Sequence, residues 1–172
     1  MERIKGVFLA VLVVSSHLVG CSSVSVKARK LVDKPAPAAR ITMLDGQDRA
    51  LSEFQGKHLF LLFWTTWCSS SRPAIKEFEE LALRYNRPRS FQFIAVSIDK
   101  AENLEVLKQR IQSEHLSHML HGFSGNDIYD EAFMSLHGDL LPYAVVIDPR
   151  GLVKSVSTSV SSFEDYIEEL AQ

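Results

Sequence analysis

Seven residues from His58 to Trp64, apolar after the first, stand between Gly56-Lys57 and Thr65-Thr66. A run of that length without alternation predicts a strand buried on both faces, at the centre of a mostly parallel sheet. Immediately beyond it the period changes. From Arg72 to about Tyr85, apolar Ile75, Phe78, Leu81, Ala82 and Tyr85 recur at helical spacing, with Lys76, Glu77, Glu79, Glu80 and Arg84 left for water. Asn86-Arg87-Pro88 ends that helix. Phe91 to Ile98 repeats the buried-strand pattern, and Asp99 is placed to cap a helix running from about Glu102 to Glu114. Strand, helix, strand, helix in this order predicts parallel crossover units.

The flanking segments complete the sheet. Ile41-Thr42-Met43-Leu44, the turn Asp45-Gly46, and Arg49-Ala50-Leu51 read as a small hairpin. Leu116 to Phe123 reads as an extended edge element and Asp127 to Leu136 as a modest helix with Ile128, Ala132, Phe133 and Leu136 inward. Tyr143 to Ile147 forms a strand directly after Pro142, and Asp148-Pro149-Arg150-Gly151 turns it back into Leu152 to Val156. An amphipathic helix from about Ser162 to Leu170 closes the chain. The fold class predicted is α/β, a central mixed (mostly parallel) sheet flanked by helices with an N-terminal β-hairpin extension.

The first twenty residues break this pattern. Arg3 and Lys5 precede an apolar run from Val7 to Val14, and Leu18-Val19-Gly20-Cys21 ends it with a small residue before a cysteine. This resembles a bacterial lipoprotein signal with its lipobox. That resemblance implies a mature chain beginning at lipidated Cys21, held at the cell envelope, facing the periplasm, and directed by Ser22 to the outer membrane in a Gram-negative cell. A spanning helix would need about 20 unbroken apolar residues, and His17 with two serines interrupts this run. Residues 21–39 then read as the lipidated cysteine and a flexible tether, basic at Lys27, Arg29 and Lys30 and extended through Lys34-Pro35-Ala36-Pro37. The domain proper spans residues 40–172, long enough for one core and one monomeric unit. Removing residues 1–20 moves the formal charge from −2 to −3, a balance that gives no reason to expect nucleic acid.

Counting cysteines changes the picture most. There are two in the chain, so lipidation of Cys21 leaves Cys68 as the one free thiol, in a compartment where disulfides form and persist. Cys68 follows the central strand and precedes a helix. Unpaired amides and the helix dipole at such a junction favour a thiolate. Three residues on, where a second sulfur would complete a Cys-x-x-Cys motif, stands Ser71, whose hydroxyl can hydrogen-bond the Cys68 thiolate. Pro73 is acceptable only within the first turn of that helix.

Phe63-Trp64-Thr65-Thr66-Trp67-Cys68, followed two strand-helix units later by Leu141-Pro142, Val145-Val146-Ile147-Asp148 and Gly151, resembles the thioredoxin-like proteins of the TlpA and ResA type. The resemblance covers residues 40 to 172. It implies a thioredoxin-like fold, a cis Leu141-Pro142 bond across from Cys68, Leu141 and Pro142 offered to an extended substrate, and Trp67 flanking the thiol. Cys68 would be the catalytic residue, assisted by Ser71, with no cofactor and no metal. Its partners would be envelope protein thiols and disulfides or small thiols.

One thiol is compatible with several chemistries. Cys68 can begin a thiol-disulfide exchange, but an outside thiol or partner has to finish it. Oxidation to a sulfenic acid by peroxide is a second route. Peroxiredoxins place a threonine or serine three residues before their cysteine and a proline seven before; Thr65 meets the first requirement, while Leu61 occupies the other position. A binding or adaptor module on the same scaffold, with Cys68 a remnant, is the reading from another class. His115, His118, His121 and His137 suggest soft-metal ligands only by composition, since on an extended segment His118 and His121, three residues apart, point to opposite sides. Glu53 and Asp99 are candidate proton carriers by analogy alone.

Overall fold

The computed structural model describes residues 24–85 and 90–170. The signal segment 1–20, Cys21 and the helix end at 86–88 lie outside the described residues. Five strands form one sheet: β3 (His58–Trp64) at its centre, β4 (Phe91–Ser97) and β5 (Leu120–Phe123) on one side, β6 (Tyr143–Ile147) and β7 (Val153–Ser157) on the other. The β3–β4 and β4–β5 pairs are parallel, while β3–β6 and β6–β7 are antiparallel. Ahead of them β1 (Arg40–Thr42) and β2 (Asp48–Ala50) pair as the expected hairpin.

The unbroken apolar run of β3 is used on both faces. Phe60, Leu62 and Trp64 join Phe93, Ala144 and Val146 beneath α2 (Ser71–Tyr85) and α5 (Ser161–Leu170), with Leu107 of α3 (Leu104–Ser113) at the margin. Phe60 stacks on Phe93 at 4.7 Å between ring centroids, and Phe163 meets Phe78 at 5.2 Å. Leu59, Leu61 and Phe63 face the other way, onto Ile41, Met43 and Leu51 of the hairpin region and Ala132 and Phe133 of α4 (Glu131–Ser135).

Two expectations are corrected. Residues 24 to 39 are not a free tether. Val24 and Ala28 are buried, the latter in a short helix, α1 (Val26–Arg29), and Leu31 and Ala36 pack on the same core. Asp33 N–H donates to Val153 O at 2.7 Å, Val153 N–H to Lys34 O at 2.9 Å, and Ala36 N–H to Gly151 O at 2.8 Å, so the segment covers the edge at β7. Asp99, expected to cap a helix, caps nothing; a short 3-10 turn from Ala101 to Asn103 leads into α3, and the Asp99 carboxylate is turned inward with none of its surface exposed.

Candidate active site

Strand β3 ends at Trp64, wholly buried, and the next residues fold sharply. Thr65 and Thr66 stay inside, Trp67 swings out with 64% of its surface exposed, and Cys68 lies partly exposed before α2. This bend is held from below by Asp99. Its carboxylate accepts from Thr66 N–H at 2.9 Å, from the Thr66 hydroxyl at 2.9 Å and from the Ser97 hydroxyl at 2.7 Å. Ile98 N–H donates to Trp64 O at 2.8 Å, so the ends of β3 and β4 hold the approach to the thiol.

Ser71 is the first residue of α2 and is fully buried. Its N–H donates to Cys68 O at 3.2 Å, and its Oγ accepts a longer bond from Thr65 N–H at 3.4 Å. Pro73 is the third helical residue, where its missing N–H has no helical acceptor to lose. Burial pushes the Cys68 thiol up, but the Ser71 hydroxyl and N–H and the Ser70 N–H and hydroxyl stabilise its anion, and the net effect is a pKa below the ordinary thiol value. Ser70 was not singled out by the sequence, because its contribution depends on how the chain turns into the helix.

Leu141-Pro142 is cis. Pro142 lies with Ser70 and Pro73 in one shallow depression, and Leu141 shares a groove of about 750 Å³ with Cys68 and Trp67. The groove's other wall comes from Ile128 and Tyr129, from Phe133 and Met134, and from the loop His137 to Leu140. Next to the proline, Tyr143 is buried and its hydroxyl donates to Leu136 O at 2.7 Å, tying this loop to the strand that follows. Burial, followed by the nearby Asp139 charge, raises the Tyr143 pKa, so it remains a neutral donor. The structure thus brings Cys68, Ser71, Trp67, Leu141 and Pro142 to one end of the sheet.

The other candidates lie elsewhere in the fold's bonding. Glu53 is exposed and accepts from Ala50 N–H at 2.8 Å, fixing the turn after β2. His118 bonds Glu79 at 2.6 Å, and His121 Nε2 lies 2.8 Å from Leu116 O with its pKa lowered chiefly by burial. Among the described residues no three acidic, histidine or cysteine side chains gather as metal ligands.

A thiol at a strand-to-helix junction, faced by a cis-proline loop on a five-stranded mixed sheet, defines a thioredoxin-like protein. The chain belongs to the AhpC/TSA family, whose model matches residues 32–156, and within it is of the TlpA/ResA type. It is similar to the thiol-disulfide oxidoreductase ResA of Geobacillus thermodenitrificans (strain NG80-2), 26% identical over 148 residues covering 84% of this chain and 79% of that one. ResA of Bacillus subtilis (strain 168) is 27% identical over 135 residues, covering 77% and 72%. Among solved structures, a thiol-disulfide oxidoreductase from Bacteroides fragilis NCTC 9343 superposes with a TM-score of 0.71 at 22% identity, over 80% of this chain and 99% of that one.

Proposed function

We propose that this protein is a thiol-disulfide oxidoreductase that works through Cys68 alone. The observation that carries the reading is the placement of Cys68, partly exposed at the turn into α2 and sharing a groove with Trp67 and with Leu141 of the cis-proline loop. Donors from Ser70 and Ser71 outweigh burial there and lower its pKa. The Cys68 thiolate attacks one sulfur of a disulfide, forming a mixed disulfide and releasing the other sulfur as a thiolate that takes a proton from water. An external thiolate then attacks the substrate sulfur and expels Cys68, leaving a new disulfide. The names of the ResA relatives support this class of substrate. Ser71 acts as a donor to the thiolate, while Trp67, Leu141 and Pro142 flank the incoming disulfide.

Alkylation of Cys68 as a function of pH tests it. Because the folded pKa is lowered, the half-maximal rate falls at a lower pH in the native protein than in the denatured chain. Ser71→Ala, which removes a donor to the anion, moves it upward. The sign for stability follows: Cys68 ionisation adds stability at pH above the unfolded thiol's pKa, and that contribution is lost as pH falls through the folded pKa. A midpoint no lower than that of the denatured chain, with no more reactivity than free cysteine, would sink the catalytic reading in favour of a binding module on the same scaffold.

The cellular address is part of the same proposal. Cys21 is the lipidated first residue of a mature envelope protein facing the periplasm, supported by the apolar run and small residue that precede it. Radiolabelled palmitate should enter the wild type and not Cys21→Ala; equal labelling of both would refute it.

A further inference from the structure

Two observations meet at the mouth of the groove beside Cys68. The first is where the chain enters the domain. Val24 is buried in the core, and Ser25 and Lys27 line the groove together with Trp67 and Cys68. Cys21 is three residues upstream of Val24, and three extended residues span at most about 10 Å. With residues 24 to 39 packed on the fold instead of running as a leash, an anchor at Cys21, or in the apolar run before it, holds this face of the protein close to lipid. The opposite end of the sheet cannot turn toward the membrane without freeing Val24 and Ala28 from the core.

The second observation is what surrounds the mouth. Trp67, Tyr129, Ile128 and Met134 are each more than half exposed, and so is Val26, which lies between Ser25 and Lys27. Tryptophan and tyrosine, with apolar bodies and polar tips, suit the headgroup layer. Lys27, Arg29 and Lys30 are exposed on and beside α1 and favour anionic headgroups, whereas the groove lining itself carries one acidic side chain, Asp139.

We propose that this rim is a membrane-docking face. Its apolar side chains rest in the headgroup layer of the bilayer that holds the anchor, so Cys68 works at the lipid surface and its substrates are disulfides in membrane-proximal segments. The proposal rests on the anchor read from residues 1–21 and on the exchange chemistry of Cys68, and it adds an orientation to both.

Trp67 reports on it directly. The full chain, purified from membranes, is reconstituted into vesicles of phosphatidylethanolamine and phosphatidylglycerol. Emission from Trp67 is taken as the difference between wild type and Trp67→Phe, because the other tryptophan, Trp64, is buried. Relative to the chain from Ser22 onward free in solution, quenching by neutral acrylamide falls about fivefold or more, and a phospholipid with a nitroxide near its headgroup quenches instead. Ile128→Glu combined with Met134→Glu restores acrylamide access while the protein still floats with the vesicles.

Failure of the anchor is read separately, as failure of the wild type to float. In that event the chain from Cys21 onward carrying Cys68→Ser, whose sole cysteine couples to a maleimide phospholipid, supplies the tether for the same measurement. An anchored protein whose Trp67 stays as accessible as in solution overturns the proposal. So does shielding that appears only in a mixed disulfide with a polypeptide, which makes the groove a protein-binding site. Shielding that needs no lipid and grows with protein concentration makes it a contact between two copies, and overturns it as well.

Discussion

Ser71→Cys shortens the life of a mixed disulfide on Cys68 by about a thousandfold or more, the effect expected when a millimolar external thiol is replaced by one fixed in the same turn. The position suits the change. Ser71 is fully buried in the first turn of α2 and its N–H already bonds the Cys68 carbonyl at 3.2 Å, so the two residues are held together whatever the side chain. Cysteine is a small residue that tolerates burial. The bond given up, from Thr65 N–H to Ser71 Oγ, is a long one at 3.4 Å. The measurement is release of a thionitrobenzoate adduct from Cys68 with no added thiol, followed by absorbance. In the native protein the adduct persists until a thiol is supplied; in the variant it leaves at once, and an internal disulfide takes its place. If the adduct is as long-lived in the variant as in the wild type, the 71 side chain does not face the sulfur, and the role given to the Ser71 hydroxyl falls with it.

The parts of the molecule legible in the sequence are those whose partners are implied by local pattern. The run His58–Trp64 matches β3 residue for residue, because a strand with both faces covered leaves no polar position to blur its limits. The helix after Cys68 starts one residue before the predicted Arg72, since Pro73 fits the first turn and Ser71 begins it. The expected helix over 127–136 is two pieces, a 3-10 turn at Asp127–Tyr129 and then α4, because Asp130 breaks off to accept from Phe133 N–H at 3.0 Å and starts the second. That break presents Ile128 and Tyr129 to the groove, where a single helix with one inward face predicted Ile128 to be buried.

What could not be read locally depends on partners far along the chain. The serines, lysines and prolines of residues 22 to 39 have the composition of a linker, and Val24, Ala28, Leu31 and Ala36 follow no single period. Their fit to the core and their hydrogen bonds to residues 151 to 153 exist only once β7 is in place with an edge to be covered. The consequence reaches function, because a docked segment fixes which face of the domain is nearest the anchor. Asp99 is illegible for the same reason: an aspartate ahead of a helical pattern looks like a cap, and two of the three donors it serves are 33 residues earlier, at Thr66.

Asp99→Ala is therefore expected to cost about 3–5 kcal/mol, most of it as groups left without partners. The carboxylate is completely buried and accepts three hydrogen bonds, from the Thr66 amide, the Thr66 hydroxyl and the Ser97 hydroxyl. Alanine removes the acceptor and leaves those donors facing one another in a space too enclosed for easy rehydration. For a chain of this size the loss lowers Tm by about 6–20 °C. Asp99→Asn retains one oxygen but sets an amide N–H₂ against donors, so it is intermediate, costing about 1–3 kcal/mol. Both variants also act on the thiol, since Thr66 is two residues before Cys68 and the bend it fixes aims the sulfur. Below its Tm, the alanine protein alkylates more slowly than wild type even when rates are compared at equal thiolate fraction. Serine in place of Thr66 keeps both donors and leaves reactivity near that of the native protein. A stable Asp99→Ala protein with native Cys68 reactivity would show that the bend holds itself. In that case the short path from β3 to α2 through Thr65 and Thr66, not the carboxylate beneath it, is what places the sulfur.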